Sequence, residues 1–512
     1  MKSIGARRWW ALAALDLGVM AVGLDVAVLS VALPTLATSL KASESDLQWF
    51  SSAYALVLAA GMLPAGVLGD RFGRKRVLLS ALVLFGASSI ACAFSTSPAQ
   101  FIAGRVLLGG AGAAIVVMAL SVMTVLFSEE ERPRAVGIWA AANFLALPIG
   151  PIFGGWLLTN YWWGWIFLMN VPVALLGVVA VLTLVPESRA PEKPSLDPAG
   201  MMLFTAGLVG ITYGLIELGR NGWTDGPSLL VLGAGLALSI GFFGWERRLT
   251  ARPGGRPLID LELFQSRGFT WGTILAALGG LALIGLVFTL PQYSQGVLGL
   301  DPEGSGVRLL PLIGGMIAGA VPADRVAQRA GAKLTVGFGF AVTAIALVIG
   351  ATTAVDSTAG FVAGWMALLG FGMGVAFATA ASAALKTIPS EKSGVASALI
   401  QAVQKVGAPL GSAIFGSVLV TVYQSSLALG GVPPAAAGLV KRSVFAGVAV
   451  AERLHSPALA DSVRHAFVQG MDTALLLSAA IAAVAAVAAL IFLPGRETIA
   501  AQPERQTAEK VA

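Results

Sequence analysis

Fourteen stretches of mainly apolar residues, most of them 18 to 25 residues long, recur along the chain with short polar breaks between them. They lie at roughly 10–36, 47–69, 77–95, 99–127, 135–159, 165–185, 198–218, 228–247, 269–293, 305–324, 333–353, 358–386, 393–422 and 471–493. A run of about 20 apolar residues crosses a bilayer as one α-helix, because only a helix satisfies its own backbone hydrogen bonds in hydrocarbon. The pattern predicts an all-α integral membrane protein whose length is used up by spans. Composition agrees: 56% of the residues are hydrophobic and 12% are charged, against roughly 25% charged in soluble domains.

Basic residues give the orientation. The N-terminus, the alternate loops that follow it and the C-terminal tail carry 24 of the 33 Lys and Arg, whereas the opposite loops carry six. Lys and Arg accumulate on the cytoplasmic side, so both termini are expected there, with the chain multi-pass in the cell inner membrane. Topology also accounts for the net charge of +6, which leaves nucleic acid without a claim. The basic, then apolar N-terminus is expected to be a retained first span, since the run is long for a signal core and lacks a small-residue cleavage site. Cys92 is the only cysteine, so no intrachain disulfide or cysteine metal site is expected.

The chain repeats itself. "AGVLGDRFGRKRVLL" (65–79) aligns with "AGAVPADRVAQRAGAKLTV" (318–336), and "FIAGRVLLGGAGAA" (101–114) with "FVAGWMALLGFGMG" (361–374). The offsets of 254 and 260 agree within a small insertion, and the same register sets "VALPTL" (31–36) against "FTLPQY" (288–293). Spans one to six therefore recur as nine to fourteen, in the same orientation.

Several acids and glycines stand out physically. Asp25 lies near the middle of the first span. A charged side chain there costs at least about 2.5–3.5 kcal/mol, so such a residue is a functional candidate by default. Asp16 falls nine residues earlier, on the opposite helical face, and reads first as a structural acid reaching toward the interface. Glu217 lies near the outer end of the seventh span, as an interfacial acid or a participant in transport. His455 and His465 both sit in the long outer loop, so carboxylates must carry any proton that crosses. In "LPIGPIFGGWLL", Pro148 and Pro151 each remove a helical hydrogen bond, while Gly150, Gly154 and Gly155 let a neighbouring helix approach.

These motifs resemble the major facilitator superfamily, and within it the fourteen-span drug:proton antiporter branch of multidrug, quaternary ammonium and antibiotic exporters. "GVLGDRFGRKR" (66–76) is similar to the family's signature loop, and "GIWAAANFLALPIGPIFGG" (137–155) to its antiporter signature, with Ala146 where glycine is usual. "LDVAVLSVALP" (24–34), "WIFLMNVP" (165–172) and "GVASALIQAVQKVGAPLG" (394–411) resemble further segments of that branch. The resemblance implies a major facilitator fold with 14 transmembrane helices arranged 6 + 2 + 6, two parallel six-helix halves around a central cavity. The domains expected are an N-terminal half at 1–190, two inserted helices with linkers at 191–266, and a C-terminal half at 267–512. The last carries a long extracellular loop at about 423–470, read as a small helical hairpin, and a short cytoplasmic tail.

By the same resemblance Arg105 faces the central cavity and helps Asp25 in proton coupling. Their repeat counterparts are Trp365 and Ala282, so the N-terminal half is expected to handle protons while the other half shapes the substrate cavity. Trp365 and Phe371 are candidate cavity aromatics, and Asp16 and Glu217 candidate cavity acids. Gly66, Asp70, Arg71, Gly73, Arg74 and Lys75 would form a cytoplasmic latch stabilising the outward-facing state. Gly137, Pro148, Gly150, Pro151, Gly154 and Gly155 would form the antiport segment. The expected activity is proton-coupled export of amphipathic, cationic or neutral drugs by a monomer in the lipid bilayer. It would run on the proton-motive force with no metal or cofactor. The alternatives are a solute:proton symporter or an exporter of one endogenous metabolite. An ATP-driven pump would need a phosphate loop, which the sequence lacks.

Overall fold

The computed structural model describes residues 2–127, 131–189, 197–252, 257–258, 261–386, 393–430 and 432–493, and among these the regular structure is helical. The first six apolar runs form α1 (Lys2–Ser39), α2 (Glu44–Phe72), α3 (Arg74–Ala93), α4 (Pro98–Leu126), α5 (Arg132–Asn160) and the pair α6 (Trp165–Leu168) and α7 (Asn170–Leu184). The next two form α8 (Pro198–Asn221) and α9 (Gly226–Thr250). The remainder are α10 (Arg267–Gln292), α11 (Pro302–Val307), α12 (Leu310–Ala330), α13 (Ala332–Gly350), α14 (Ala359–Lys386), α15 (Ser393–Ser426), α16 (Pro434–Val440), α17 (Val444–Arg453) and α18 (Pro457–Phe492).

Local chemistry sets the boundaries. Ser97-Pro98, Asp197-Pro198 and Asp301-Pro302 each place a capping oxygen before a proline at the first helical position. Ser43 and Asp46 form a reciprocal capping box at the start of α2. Asp225 caps α9, where the hydroxyl and amide of Ser228 hold its carboxyl below the ordinary carboxylate range. Gly73 between α2 and α3 has φ 109°, and Gly331 between α12 and α13 has φ 88°. The repeated turn thus uses the same left-handed backbone twice, a conformation that favours glycine.

Among the described residues, eleven helices are long and apolar enough to cross a membrane, or twelve with α2 counted as one span bent by 49° near Pro64. The fifth and thirteenth expected runs are the helices α5 and α15, many of whose side chains fall outside the described residues. The tenth run is divided, with Arg308 in the break between α11 and α12. The structure corrects the helical hairpin expected at about 423–470, whose two arms were to be "AAAGLVKRSVFAGVAVAERL" and "SPALADSVRHAFVQG". "SPALADSVRHAFVQG" is not its second arm; from Pro457 onward it is the start of α18, continuous to Phe492. The compact part of the loop is the pair α16 and α17. The last helix extends because nothing between Pro457 and Phe492 breaks it, neither glycine pair nor internal proline.

The chain forms two compact units. The first takes residues 1–258, 287–309 and 408–471, and the second takes 259–286, 310–407 and 472–512. In the first, α2 packs on α4, α1 on α5, α3 on α4 and α7, and α8 on α9. In the second, α12 and α13 pack on α14. Around its core of Leu275, Val336, Phe340, Ala376, Ala380 and Ala485, Trp271 stacks on Phe492 with ring centroids 4.0 Å apart.

Candidate functional site: a buried carboxylate–guanidinium pair

Asp25 of α1 and Arg105 of α4 meet in the interior of the first unit, with residue exposures of 2% and 1%. Arg105 Nη1 donates to Asp25 Oδ2. Arg105 Nε donates to the Phe50 carbonyl at 3.0 Å, and the guanidinium carbon lies 4.2 Å from the centroid of the Tyr54 ring. On the other side of the carboxylate, Asn170 Nδ2 donates to Asp25 Oδ1 at 3.4 Å and to Ser89 Oγ at 3.3 Å. Tyr54 in turn donates to the Val22 carbonyl at 3.3 Å. Helices α1, α2, α3, α4 and α7 therefore each supply one part of a single network.

Desolvating two charges is expensive, and their attraction offsets that only with good geometry and further hydrogen bonds. Here the carboxylate has Arg105 and Asn170, and the guanidinium has a carboxylate, a carbonyl and an aromatic face. Phe50, Phe101 and Phe167 continue as an aromatic wall, with centroids 4.5 and 5.3 Å apart. Both partners of the pair are thus hydrogen-bonded on more than one side, with the carboxylate held between Arg105 and Asn170.

Asn170, Ser89, Tyr54 and Phe50 were not legible as site residues in the sequence. The available signals were weak: Asn170 is the polar residue within "WIFLMNVP", and Ser89 belongs to a polar pair in an apolar run.

The antiport segment packs beside this network. At Gly150 an added Cβ would lie 2.5 Å from Ala27 Cβ, and at Gly154 it would lie 2.6 Å from Val28 Cγ1. Ala27 and Val28 follow Asp25 by two and three residues, so α5 bears on α1 within a turn of the carboxylate. Gly155 faces α11 instead, where the Cβ would meet the Pro302 carbonyl oxygen at 2.6 Å, and Gly306 of α11 faces the Pro151 carbonyl. Ala146, where glycine is usual, is buried in α5. Gly137 and Pro148 belong to the same helix, but their side-chain surroundings lie outside the described residues.

The glycine–aspartate loop is clamped to the chain that follows α7. Asp70 pairs with Arg74 at 2.8 Å, and Arg74 Nη1 donates to the Ser121 carbonyl at 3.3 Å. The backbone N–H of Arg74 donates to the Ser188 carbonyl at 2.9 Å, and Lys75 Nζ to the Leu182 carbonyl at 2.8 Å. Glu187 is the residue sequence reasoning missed. It accepts from the Lys75 backbone at 3.3 Å and pairs with Arg76 at 3.5 Å. At Gly73 an added Cβ would come within 2.6 Å of Glu187 Oε1. Arg71 lies over the Phe72 ring, and Gly66 packs toward Val117. Glu187→Gln is expected to weaken this clamp by about 1 kcal/mol or less, because the contacts are solvent-exposed ion pairs. The check is amide hydrogen exchange at Arg74 and Lys75, whose N–H groups donate to the Ser188 carbonyl and to Glu187. It should be faster in the variant than in the unchanged protein, and rise less steeply as salt is added.

The other candidate residues are placed apart. Asp16 is buried in α1, and its Oδ1 has no hydrogen-bond partner, so it does not snorkel to the interface. Glu217 accepts from Asn221 Nδ2 at 3.1 Å and lies 3.8 Å from Arg220, an arrangement that ties together the end of α8. Trp365 is a core residue of the second unit, its ring against Gly350. Phe371 is half-buried there, its backbone carbonyl against Gly319. The contrast between Arg105 and Trp365 follows: the repeat places a charge in one unit and an apolar core side chain in the other.

Comparison with known proteins places this geometry in context. A family model described as Major Facilitator Superfamily matches residues 15–412. The chain is 34% identical to the "Tetracenomycin C resistance and export protein" of Streptomyces glaucescens, over 98% of this chain and 94% of that one. It is 33% identical to the "Methyl viologen resistance protein SmvA" of Salmonella typhimurium, over 92% and 95% of the two chains. Among solved structures, a bacterial homolog to the human lysosomal transporter Spinster shares the fold. It gives a TM-score of 0.66 at 16% identity, over 96% of this chain and 99% of that one.

Proposed function

The chain belongs to the Major Facilitator Superfamily, and we propose from that membership that it is a proton-coupled antiporter. Its cargo would be amphipathic drugs, neutral or cationic, moved out across the cytoplasmic membrane by alternating access. It is a transporter rather than an enzyme, and relatives along nearly the whole chain are named for resistance and export. The observation that carries the proton-coupled reading is the buried Asp25–Arg105 pair with the antiport helix packed one turn away. The proton-motive force would be the energy source, without a cofactor. Each elementary charge crossing the membrane supplies about 2.3 kcal/mol per 100 mV.

In this reading Asp25 alternates between two states. Ionised, it holds Arg105 and with it the packing of α1 against α4. Protonated, it releases the guanidinium to the Phe50 carbonyl and the Tyr54 ring, which keep the cation from being stranded. Breaking a buried pair by removing one charge costs about 3–5 kcal/mol, enough to shift the balance between two packings of the helices. The tight α1–α5 contact at Gly150 and Gly154 then transmits that shift while keeping the space between helices closed to ions. Both termini would face the cytoplasm, with the α1–α2 turn, the end of α8 and the pair α16–α17 on the outer side.

The pairing also bears on substrate charge. Asp25 is already matched by Arg105, so the network offers no surplus negative charge to a second cation. Neutral and monovalent lipophilic compounds are therefore expected to be better substrates than rigid dications. Everted membrane vesicles test both points. On energisation they should accumulate a monocationic dye and give up protons as they do so, with slower uptake of methyl viologen, a rigid dication. Accumulation that ignores collapse of the proton gradient would sink the antiport reading. Faster uptake of the dication would show that a further acid serves the binding site.

A further inference from the structure

The first unit contains a cavity of about 350 Å³ whose walls come from the α1–α2 turn, the end of α8, the distal part of α15 and the α16–α17 turn. On the orientation proposed above, it opens to the outside. At its floor two residues one turn apart on α2, Glu44 and Gln48, present their side chains. Glu44 is 5% exposed and Gln48 is 1% exposed. Neither Glu44 Oε1 nor Gln48 Oε1 has a hydrogen-bond partner. Behind them Gln292, 0% exposed, brings its side-chain amide within hydrogen-bonding reach of the Glu44 carboxyl, and its own Oε1 also lacks a partner. Glu44, Gln48 and Gln292 thus each leave one buried side-chain oxygen without a hydrogen-bond partner.

Buried acceptors without donors are costly and rare in native proteins. One proton reduces the deficit. Protonated, Glu44 changes from acceptor-only to donor, and its O–H can bond the oxygen of Gln48 or Gln292. Asp46, the nearest other acid, is unavailable, because its carboxylate is taken up by the backbone and hydroxyl of Ser43 at 2.8 and 2.7 Å. The Glu44 backbone is fixed as well, its N–H donating to the Arg442 carbonyl at 2.9 Å.

The charged groups facing Glu44 come from each wall. Lys41 stands on its own turn, Arg220 on α8 beside Glu217, and Lys441 and Arg442 on the α16–α17 turn. From α15 comes the phenol of Tyr423, whose O–H donates to the Val440 carbonyl at 2.8 Å. The basic groups are exposed rim residues, where water and salt screen them. Below Gln48 the same helical face continues to Ser52, fully buried and sharing a 2.6 Å hydrogen bond with Ser412 of α15.

We propose that Glu44 is a second proton-binding site, loaded from the outer cavity and distinct from Asp25. In the loading step a hydronium ion in the cavity gives its proton to Glu44 Oε1 and leaves as water. The carboxylate becomes a neutral acid that donates to a glutamine oxygen, and deprotonation reverses the step. The inference rests on the proton-coupled reading of transport, but it can fail without it.

Infrared difference spectroscopy on the full-length protein in lipid nanodiscs, cycled between acidic and alkaline buffer, tests it. Wild type should show a carbonyl band of a protonated, dehydrated carboxylic acid. Glu44→Gln should lose that band while remaining monodisperse, because the amide can donate to Gln48 as the protonated acid does. Glu44→Asp should keep a shifted band, and Asp25→Asn should keep the Glu44 band unchanged. A full wild-type band in Glu44→Gln would overturn the proposal. Proton-coupled export that survives Asp25→Asn would instead count against the Asp25 mechanism and leave the outer site standing.

Discussion

Asp25→Asn is expected to abolish uphill export while the protein still inserts and folds. The amide carbonyl of Asn still accepts a hydrogen bond from Arg105, and the Phe50 carbonyl and Tyr54 ring continue to hold the guanidinium. What disappears is the ability to gain and lose charge. If the charged pair contributes about 3–5 kcal/mol to the balance between states, proton-driven export falls by roughly two to nearly four powers of ten. Energy-independent exchange of substrate across the membrane should persist, since the helices and cavity remain. Asp25→Glu is the informative companion, because it restores a titratable group one methylene longer. The measurement is drug-stimulated proton movement in proteoliposomes at matched protein density. Wild-type accumulation against a gradient in the Asn variant would show that the coupling carboxylate lies elsewhere.

Gly154→Leu is expected to have the second largest effect, and for a different reason. Even a bare Cβ at this position would stand 2.6 Å from Val28 Cγ1, so a leucine forces α5 off α1. Overpacking of a close contact costs about 1–3 kcal/mol, here imposed within a turn of Asp25. Drug export should drop by roughly ten-fold or more on that scale, and the proton gradient should decay faster in vesicles without substrate. Gly154→Ala should fall between the two, since a methyl group needs only a small shift of Val28. Normal transport and normal leak in the leucine variant would mean that the α1–α5 contact has no part in coupling. A parallel change at an exposed position of the same helix, Phe153→Leu, is expected to leave both readouts near wild type.

Much of this protein was legible before any coordinates. The apolar runs dictated membrane helices because hydrocarbon leaves a backbone no other way to satisfy its hydrogen bonds. The Asp25 hypothesis followed from a charge near the middle of one such run. The recurrence of Asp70-Arg71 and Asp324-Arg325, with the glycine turn after each, marked the repeat. Even the contact face of α5 could be read from three glycines, since a missing side chain signals a close neighbour.

Which neighbour it has was decided only by the tertiary structure. Gly150 and Gly154 turn to α1 while Gly155 turns to α11, and no local pattern separates these partners. The same holds for Asn170 and Ser89, 145 and 81 residues from what they touch, and for Glu187 under the Gly73 turn. Trp365, which by composition suited a drug pocket, is core. Glu44 carries no signal in the sequence that separates it from Asp46; its burial, with an oxygen left unpartnered, does. Sequence periodicity and solvation determine which segments cross the bilayer, because those are local properties of the chain. The partners of a buried polar group are set by long-range packing, so the network around Asp25 and the donor-poor floor around Glu44 exist only in the folded protein.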